Sequence, residues 1–219
     1  MPSAAKLDRR LNGWEAQRPA DSRKNKPPRL LLRLNATAHF ILEAVSQPKQ
    51  MGAIAPSSRH LTAAMARWLP PEPHSYVVEL GPGTGAVTEA LLAHGLAEHR
   101  LVALEKSAKM AVYLRRRFPR AVIITGDALE LDVLLKRHGV PLRKIGAVFS
   151  SLPLQNFDEH FAQKLMQKVH ALLGPSGKFV QYSYHLGRKQ PQALADFQPV
   201  ASNLVWLNLP PARVSVYQK

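Results

Sequence analysis

The sequence predicts an α/β protein: a seven-stranded, mostly parallel sheet with an antiparallel hairpin at its edge, preceded by an amphipathic helix. Three observations predict it. From residue 76 onward, short apolar runs alternate with segments of helical period, the pattern of a sheet wound with helices. The first run, Tyr76-Val77-Val78, feeds the turn Glu79-Leu80-Gly81-Pro82-Gly83-Thr84-Gly85, which opens onto a helix. The next two runs end in acids of their own, Glu105 and Asp127. Ends of parallel strands share one carboxyl edge, so Glu79, Glu105 and Asp127 should converge on one crevice.

Taken in order, residues 1–29 carry Lys6, Arg9, Arg10, Arg18, Arg23, Lys24, Lys26 and Arg29 with Pro19, Pro27 and Pro28, a basic tail expected to be disordered. It is either a contact for a polyanion or a solvated leader. Residues 30–46 read as a helix. At about 100° per residue Leu30, Leu31, Leu34, Ala38, Ile41, Leu42 and Val45 share one arc, and Asn35, His39, Glu43 and Ser46 the other, with Leu32 and Phe40 interrupting the polar side. Simple packing on the domain is enough to explain such a face. Residues 47–58 form a loop broken by Gly52 and Pro56, and Ser57 or Ser58 caps a helix running to about Trp68. Pro70, Pro71 and Pro73 end that helix.

The alternation then gives strands at 76–78, 101–105, 121–124, 145–149 and 178–184, with helices near 84–94, 108–118, 131–138 and 158–173. A weak helix at 191–197 and a final pair of strands, 203–209 and 213–217, turning at Pro210-Pro211, complete the sheet. The domain proper spans 47–219.

Glycines at the first strand–helix turn permit φ > 0 and leave room for a ligand against bare backbone. Their spacing does not identify that ligand, because Gly81, Gly83 and Ala86 also fit the dinucleotide pattern. The acids decide for S-adenosylmethionine. Glu79 can attract its cationic amino acid end, Glu105 can accept both ribose hydroxyls, and Asp127 can take the adenine amino group. An acid before G-x-G-x-G, an acid closing the second strand and Gly126-Asp127-Ala128 after the third resemble the class I S-adenosylmethionine-dependent methyltransferases. That resemblance implies their Rossmann-like fold. The candidate cofactor contacts are Glu79, Gly81, Gly83, Thr84, Gly85, Glu105, Lys106, Asp127, Ala128 and Ser150.

Composition narrows the partners. The formal charge of +15 and a sequence pI near 10.5 imply a polyanion, either nucleic acid or an anionic membrane surface. Charge alone does not choose. Cysteine is absent, so disulfides and thiolate metal sites are excluded, and no histidine or carboxylate cluster has metal-ligand spacing. No stretch reaches the roughly 20 apolar residues of a membrane span, and the N-terminus has no apolar signal core, so neither crossing nor export is expected.

The substrate should meet the cofactor after the fourth strand, at Ser150-Ser151-Leu152-Pro153-Leu154-Gln155-Asn156-Phe157. Enzymes that methylate nucleobase amines carry Asn-Pro-Pro-Tyr or Asn-Leu-Pro-Tyr here, an amide for the amino group and a ring to stack on the base. Ser151-Leu152-Pro153-Leu154 has neither. The seven-stranded sheet is expected to be complete by residue 217, so a helical C-terminal domain of the kind found in ribosomal RNA adenine dimethyltransferases is not expected. A nucleic acid partner is therefore not expected.

Six segments sharpen the comparison: Lys49-Gln50-Met51-Gly52-Ala53-Ile54-Ala55-Pro56-Ser57-Ser58, the Glu79-Leu80-Gly81-Pro82-Gly83-Thr84-Gly85 turn, Gly126-Asp127-Ala128, Ser151-Leu152-Pro153-Leu154-Gln155-Asn156-Phe157, Gln181-Tyr182-Ser183-Tyr184 and Asn208-Leu209-Pro210-Pro211-Ala212-Arg213. Together they resemble the bacterial phospholipid N-methyltransferases of the peripheral-membrane type, over roughly residues 30–217. The resemblance implies successive methylation of phosphatidylethanolamine towards phosphatidylcholine. It further implies that the 30–46 helix is a membrane anchor and that the enzyme sits in the cytoplasm on the inner face of the cytoplasmic membrane. An ornithine lipid also offers a primary amine, and the sequence carries no signal for oligomeric state.

The catalytic candidates are Tyr182, Tyr184, Ser151, Leu152 and Pro153. Tyr182 and Tyr184 share one side of the fifth strand and can hold a methylated ammonium by cation–π contact, or be core aromatics. His185 can relay a proton, or be a surface histidine. Two other classes compete with a lipid methyltransferase: an RNA or small-amine methyltransferase on the same fold, and a non-catalytic module that kept the glycine turn. The second of these fits poorly with all three acids in place.

Overall fold

The computed structural model describes residues 58–72, 74–185 and 191–219. The expected tail and amphipathic helix, residues 1–46, lie outside this range, as does the loop up to residue 57.

Helix α1 (Arg59–Ala66) starts where Ser58 accepts a hydrogen bond from the Leu61 amide, which satisfies one of the unpaired first-turn donors. Leu61, Ala64 and Met65 are its buried face. Strands β1 (Tyr76–Leu80), β2 (Leu101–Glu105), β3 (Val122–Thr125), β4 (Ile145–Ser150) and β5 (Lys178–Ser183) alternate with α2 (Ala86–Ala93), α3 (Ala108–Arg117), α4 (Leu131–Arg137) and α5 (Glu159–Leu172). Strands β6 (Gln198–Val205) and β7 (Ala212–Gln218) complete a seven-stranded sheet in the order β3-β2-β1-β4-β5-β7-β6. The pairings among β1 to β5 are parallel. Strand β7 is antiparallel to both its neighbours.

The central strands are apolar on both faces because both faces are covered. Val77, Leu101, Ala147, Phe149 and Val180 point to the layer containing α1 and α2. Their chain neighbours Val78, Val102, Val148 and Phe179 point to the other layer, with Leu134 of α4 and Leu165, Met166 and Val169 of α5. Ala103 and Ile123 meet Leu114 of α3 and the following Phe118.

The C-terminal strands differ from the sequence expectation. The weak helix at 191–197 is a single 3₁₀ turn, Gln192–Leu194, and β6 begins at Gln198 rather than 203. Pro199 is tolerated because β6 is the edge strand, and the register shifts beside it. Residues 206–209, expected as the strand's second half, are instead a turn in which Trp206, Leu207 and Leu209 are exposed and Asn208 is buried. The hairpin also folds inward, placing β7 between β5 and β6.

Candidate active site

Backbone hydrogen bonds lock the strand ends into one rim. The Gly81 amide donates to the Leu104 carbonyl at 3.0 Å, Gly126 to Glu105 at 3.0 Å and Ser151 to Leu80 at 3.0 Å. Glu79, Glu105, Asp127 and the segment after β4 therefore share the carboxyl edge.

Gly81, Gly83 and Gly85 all have positive φ, at 68°, 56° and 82°, but their surroundings differ. A Cβ on Gly85 would stand 2.6 Å from Phe118, so this glycine serves the packing of α2 against α3. A Cβ on Gly81 would meet Leu152 at 2.6 Å, which seats the glycine turn against the segment after β4. Around Gly83 there is open space. That is the position where a ligand can lie on bare backbone. The neighbouring Thr84 is exposed, and its carbonyl accepts from Arg117 at 2.7 Å.

Glu105 is 9% exposed and bridges two loops. One carboxylate oxygen accepts from the Gly83 amide at 3.1 Å, the other from the Ser107 amide at 2.8 Å. A carboxylate has about four acceptor positions, so both oxygens retain capacity for a ribose diol.

Glu79 is wholly buried. Its Oε2 accepts from the Thr88 hydroxyl at 2.6 Å, while Oε1 has no hydrogen-bond partner among the described residues. Burial pushes its pKa up from the ordinary carboxylate value to about 7, against the lowering effect of Thr88. A buried acceptor without a donor suits the ammonium of the cofactor's amino acid end.

Asp127 caps the turn after β3 by accepting from the Leu129 amide at 2.9 Å, and pairs with Lys106 at 2.9 Å. Burial raises its pKa, but that amide and Lys106 outweigh it and hold the carboxyl below its usual value. Lys106 thus neutralises Asp127 at the cofactor edge. Ala128 opens the 3₁₀ turn Ala128–Glu130 and packs against the core.

After β4, buried Ser150 accepts from the Leu152 amide at 3.2 Å. The Leu152 carbonyl in turn accepts from the Gln181 side chain at 3.1 Å. Ser151 and Pro153 are partly exposed, whereas Leu154 is buried in the core, so the position of a base-stacking ring is filled from within. Gln155 accepts from Ser183 at 3.2 Å. Tyr182 and Tyr184 meet edge to face with ring centroids 5.7 Å apart. Tyr182 packs against the core, and Tyr184, one residue beyond β5, is 39% exposed. Burial, and secondarily the charge of Tyr182, raise the Tyr184 pKa against a hydrogen bond with Asn208. His185 is exposed.

Thr88, Gln181 and Asn208 were not expected at the site. Gln181 had a visible signal, a polar residue inside the run Phe179-Val180-Gln181. Thr88 and Asn208 depend on contacts across nine residues or more and had none.

The comparisons with known proteins give the family. A family profile described as a methyltransferase domain matches residues 77–177. The ornithine lipid N-methyltransferase of Singulisphaera acidiphila is 32% identical over 60% of this chain and 69% of its own length. The ribosomal RNA small subunit methyltransferase A of Geobacter metallireducens is 37% identical over 48% of this chain, which spans only 39% of that relative. Among solved structures, the 1,6-didemethyltoxoflavin-N1-methyltransferase of Burkholderia thailandensis, with bound S-adenosylhomocysteine, superposes with a TM-score of 0.61 at 17% identity, covering 92% of this chain and 93% of its own. The fold and the acid-lined glycine turn define an enzyme that uses S-adenosylmethionine. The chain belongs to the class I S-adenosylmethionine-dependent methyltransferases and is an N-methyltransferase.

Proposed function

We propose that the enzyme methylates the primary amine of phosphatidylethanolamine, and then its mono- and dimethylated forms, towards phosphatidylcholine. The observation that carries this reading is the segment after β4. Leu154 is buried, and Ser151-Leu152-Pro153 offers neither a side-chain amide nor a ring for a flipped base. The lipid-amine activity in the name of the Singulisphaera relative supports it. We propose further that the enzyme works in the cytoplasm, on the inner face of the cytoplasmic membrane, with residues 30–46 as its membrane anchor.

S-adenosylmethionine supplies an electrophilic methyl group on a sulfonium. Glu79, Glu105 and Asp127 would hold its three polar ends, and the open backbone at Gly83 would let it approach. The site would present the amine nitrogen, already unprotonated, in line with that methyl group, whose bond to sulfur breaks as the bond to nitrogen forms, so desolvation must lower the amine's pKa from the range near 10 typical of an alkylammonium. Gln181 fixes the Leu152 carbonyl, which with Ser151 and Pro153 shapes the nitrogen's approach. Tyr182 and Tyr184 hold the increasingly methylated cation.

A second reading, RNA amine methylation, draws on the basic charge and the ribosomal RNA relatives. Incubation of the pure protein with methyl-labelled cofactor and, separately, phosphatidylethanolamine vesicles or ribosomal RNA decides. Label in lipid supports the proposal; label in RNA alone overturns it.

A further inference from the structure

The turn from β6 to β7 holds three large apolar side chains in solvent, Trp206 at 68%, Leu207 at 72% and Leu209 at 83% exposure. Single exposed apolar residues are ordinary, but three together form a patch that calls for a partner. Between them Asn208 is 3% exposed. Its side-chain oxygen accepts from the Ser58 amide at 3.0 Å, its side-chain nitrogen donates to the Pro210 carbonyl at 2.6 Å, and it hydrogen-bonds Tyr184. The turn is therefore pinned from within by one buried polar residue while its apolar neighbours are presented outward.

The location of the turn is informative. Val205 pairs with Ala212, and Arg213 pairs with Ser183 at the end of β5, so the turn stands on the carboxyl edge of the sheet beside Tyr184. No Asp, Glu, Lys or Arg occurs from residue 197 to 212, in a chain whose formal charge is +15. An uncharged apolar tip enters a headgroup layer without desolvating a charge, and the net positive charge of the chain favours an anionic surface. Tryptophan suits that depth, with an apolar body and one polar N–H.

We propose that residues 206–211 are a membrane-docking tip, with Trp206, Leu207 and Leu209 entering the interfacial layer of an anionic bilayer and setting the Tyr184 edge against the headgroups. The inference rests on the lipid reading above and adds where the bilayer touches the folded domain.

The test uses the full-length protein and vesicles of equal parts phosphatidylethanolamine and phosphatidylglycerol. In the triple variant Trp206→Ser, Leu207→Ser, Leu209→Ser, vesicle binding and methylation of vesicle lipid should fall at least about tenfold. Affinity for S-adenosylhomocysteine and methylation of monomeric dihexanoyl phosphatidylethanolamine should be unchanged. Should the triple variant lose cofactor affinity or unfold, the single change Trp206→Leu decides: it should keep vesicle binding yet diminish tryptophan quenching by brominated acyl chains, Trp14 and Trp68 being unchanged. Undiminished vesicle binding by the triple variant, or undiminished quenching in Trp206→Leu, overturns the proposal. So does a triple variant that turns a dimer into a monomer with vesicle binding intact, since the tip would then join two copies. If the wild type docks through the tip but labels neither lipid, docking stands and the lipid-substrate reading falls.

Discussion

The carboxylate of Glu105 holds the amide of Gly83 at 3.1 Å. The side chain proposed to receive the cofactor's ribose therefore also fixes the glycine loop. Removing it should loosen both.

Glu105→Ala is expected to lose charge-assisted hydrogen bonds of roughly 1.5–3 kcal/mol each and to release the Gly83 and Ser107 amides. Calorimetric titration should show affinity for S-adenosylhomocysteine falling by at least about tenfold. Glu105→Gln, which keeps the size but not the charge, should fall less. Wild-type affinity in both variants would remove Glu105 from the site.

Glu79 predicts a pH dependence. Its folded pKa, about 7, lies above the ordinary value of 4.5, so its ionisation opposes folding. Its contribution to stability is complete below the ordinary value and is lost as pH rises through about 7. Glu79→Gln removes this titration. The melting temperature of the variant minus that of the wild type should increase between about pH 5 and pH 8, and a constant difference would contradict it. Because an ammonium partner favours the ionised form, cofactor binding near neutral pH should release protons from the wild type and not from the variant. Enthalpies measured in buffers of different ionisation heat would show this.

The glycines separate folding from binding. Gly85→Ala combines φ 82° with a Cβ 2.6 Å from Phe118, and should cost about 1–3 kcal/mol in urea unfolding. Gly83→Ala meets no atom within 4 Å, so only its φ of 56° opposes it, at about 1 kcal/mol. Its larger effect should be on cofactor affinity. Equal stability losses at the two positions would contradict the division of labour.

Tyr184→Ala should slow the later methylations more than the first. Cation–π attraction matters most once the nitrogen carries a permanent charge. Rates measured separately on phosphatidylethanolamine and its dimethyl form test this, and equal losses on both would leave Tyr184 a packing residue.

The parallel half of the fold was legible because each central strand is a short apolar run buried on both faces, bounded by glycine or an acid. The placement of Glu79, Glu105 and Asp127 on one edge was legible for the same reason: a charge that ends an apolar run marks a strand end. The C-terminal hairpin was not. Val205-Trp206-Leu207 reads as strand because apolar residues normally continue a buried element, yet Trp206 and Leu207 are exposed. Gln198-Pro199 reads as loop because proline is excluded from central strands, yet β6 lies on the edge. Local pattern does not report which strand will be the edge. Nor does it show Asn208 reaching back 150 residues to Ser58.

The central claim, that the methyl acceptor is a membrane lipid amine, is tested most directly by competition in one vessel. The purified enzyme is given deuteromethyl-labelled cofactor, phosphatidylethanolamine vesicles, ornithine lipid vesicles and ribosomal RNA together, and the products are weighed by mass spectrometry. The account predicts mono-, di- and trimethylated phosphatidylethanolamine and unlabelled RNA. Labelled RNA with unlabelled lipid would contradict it.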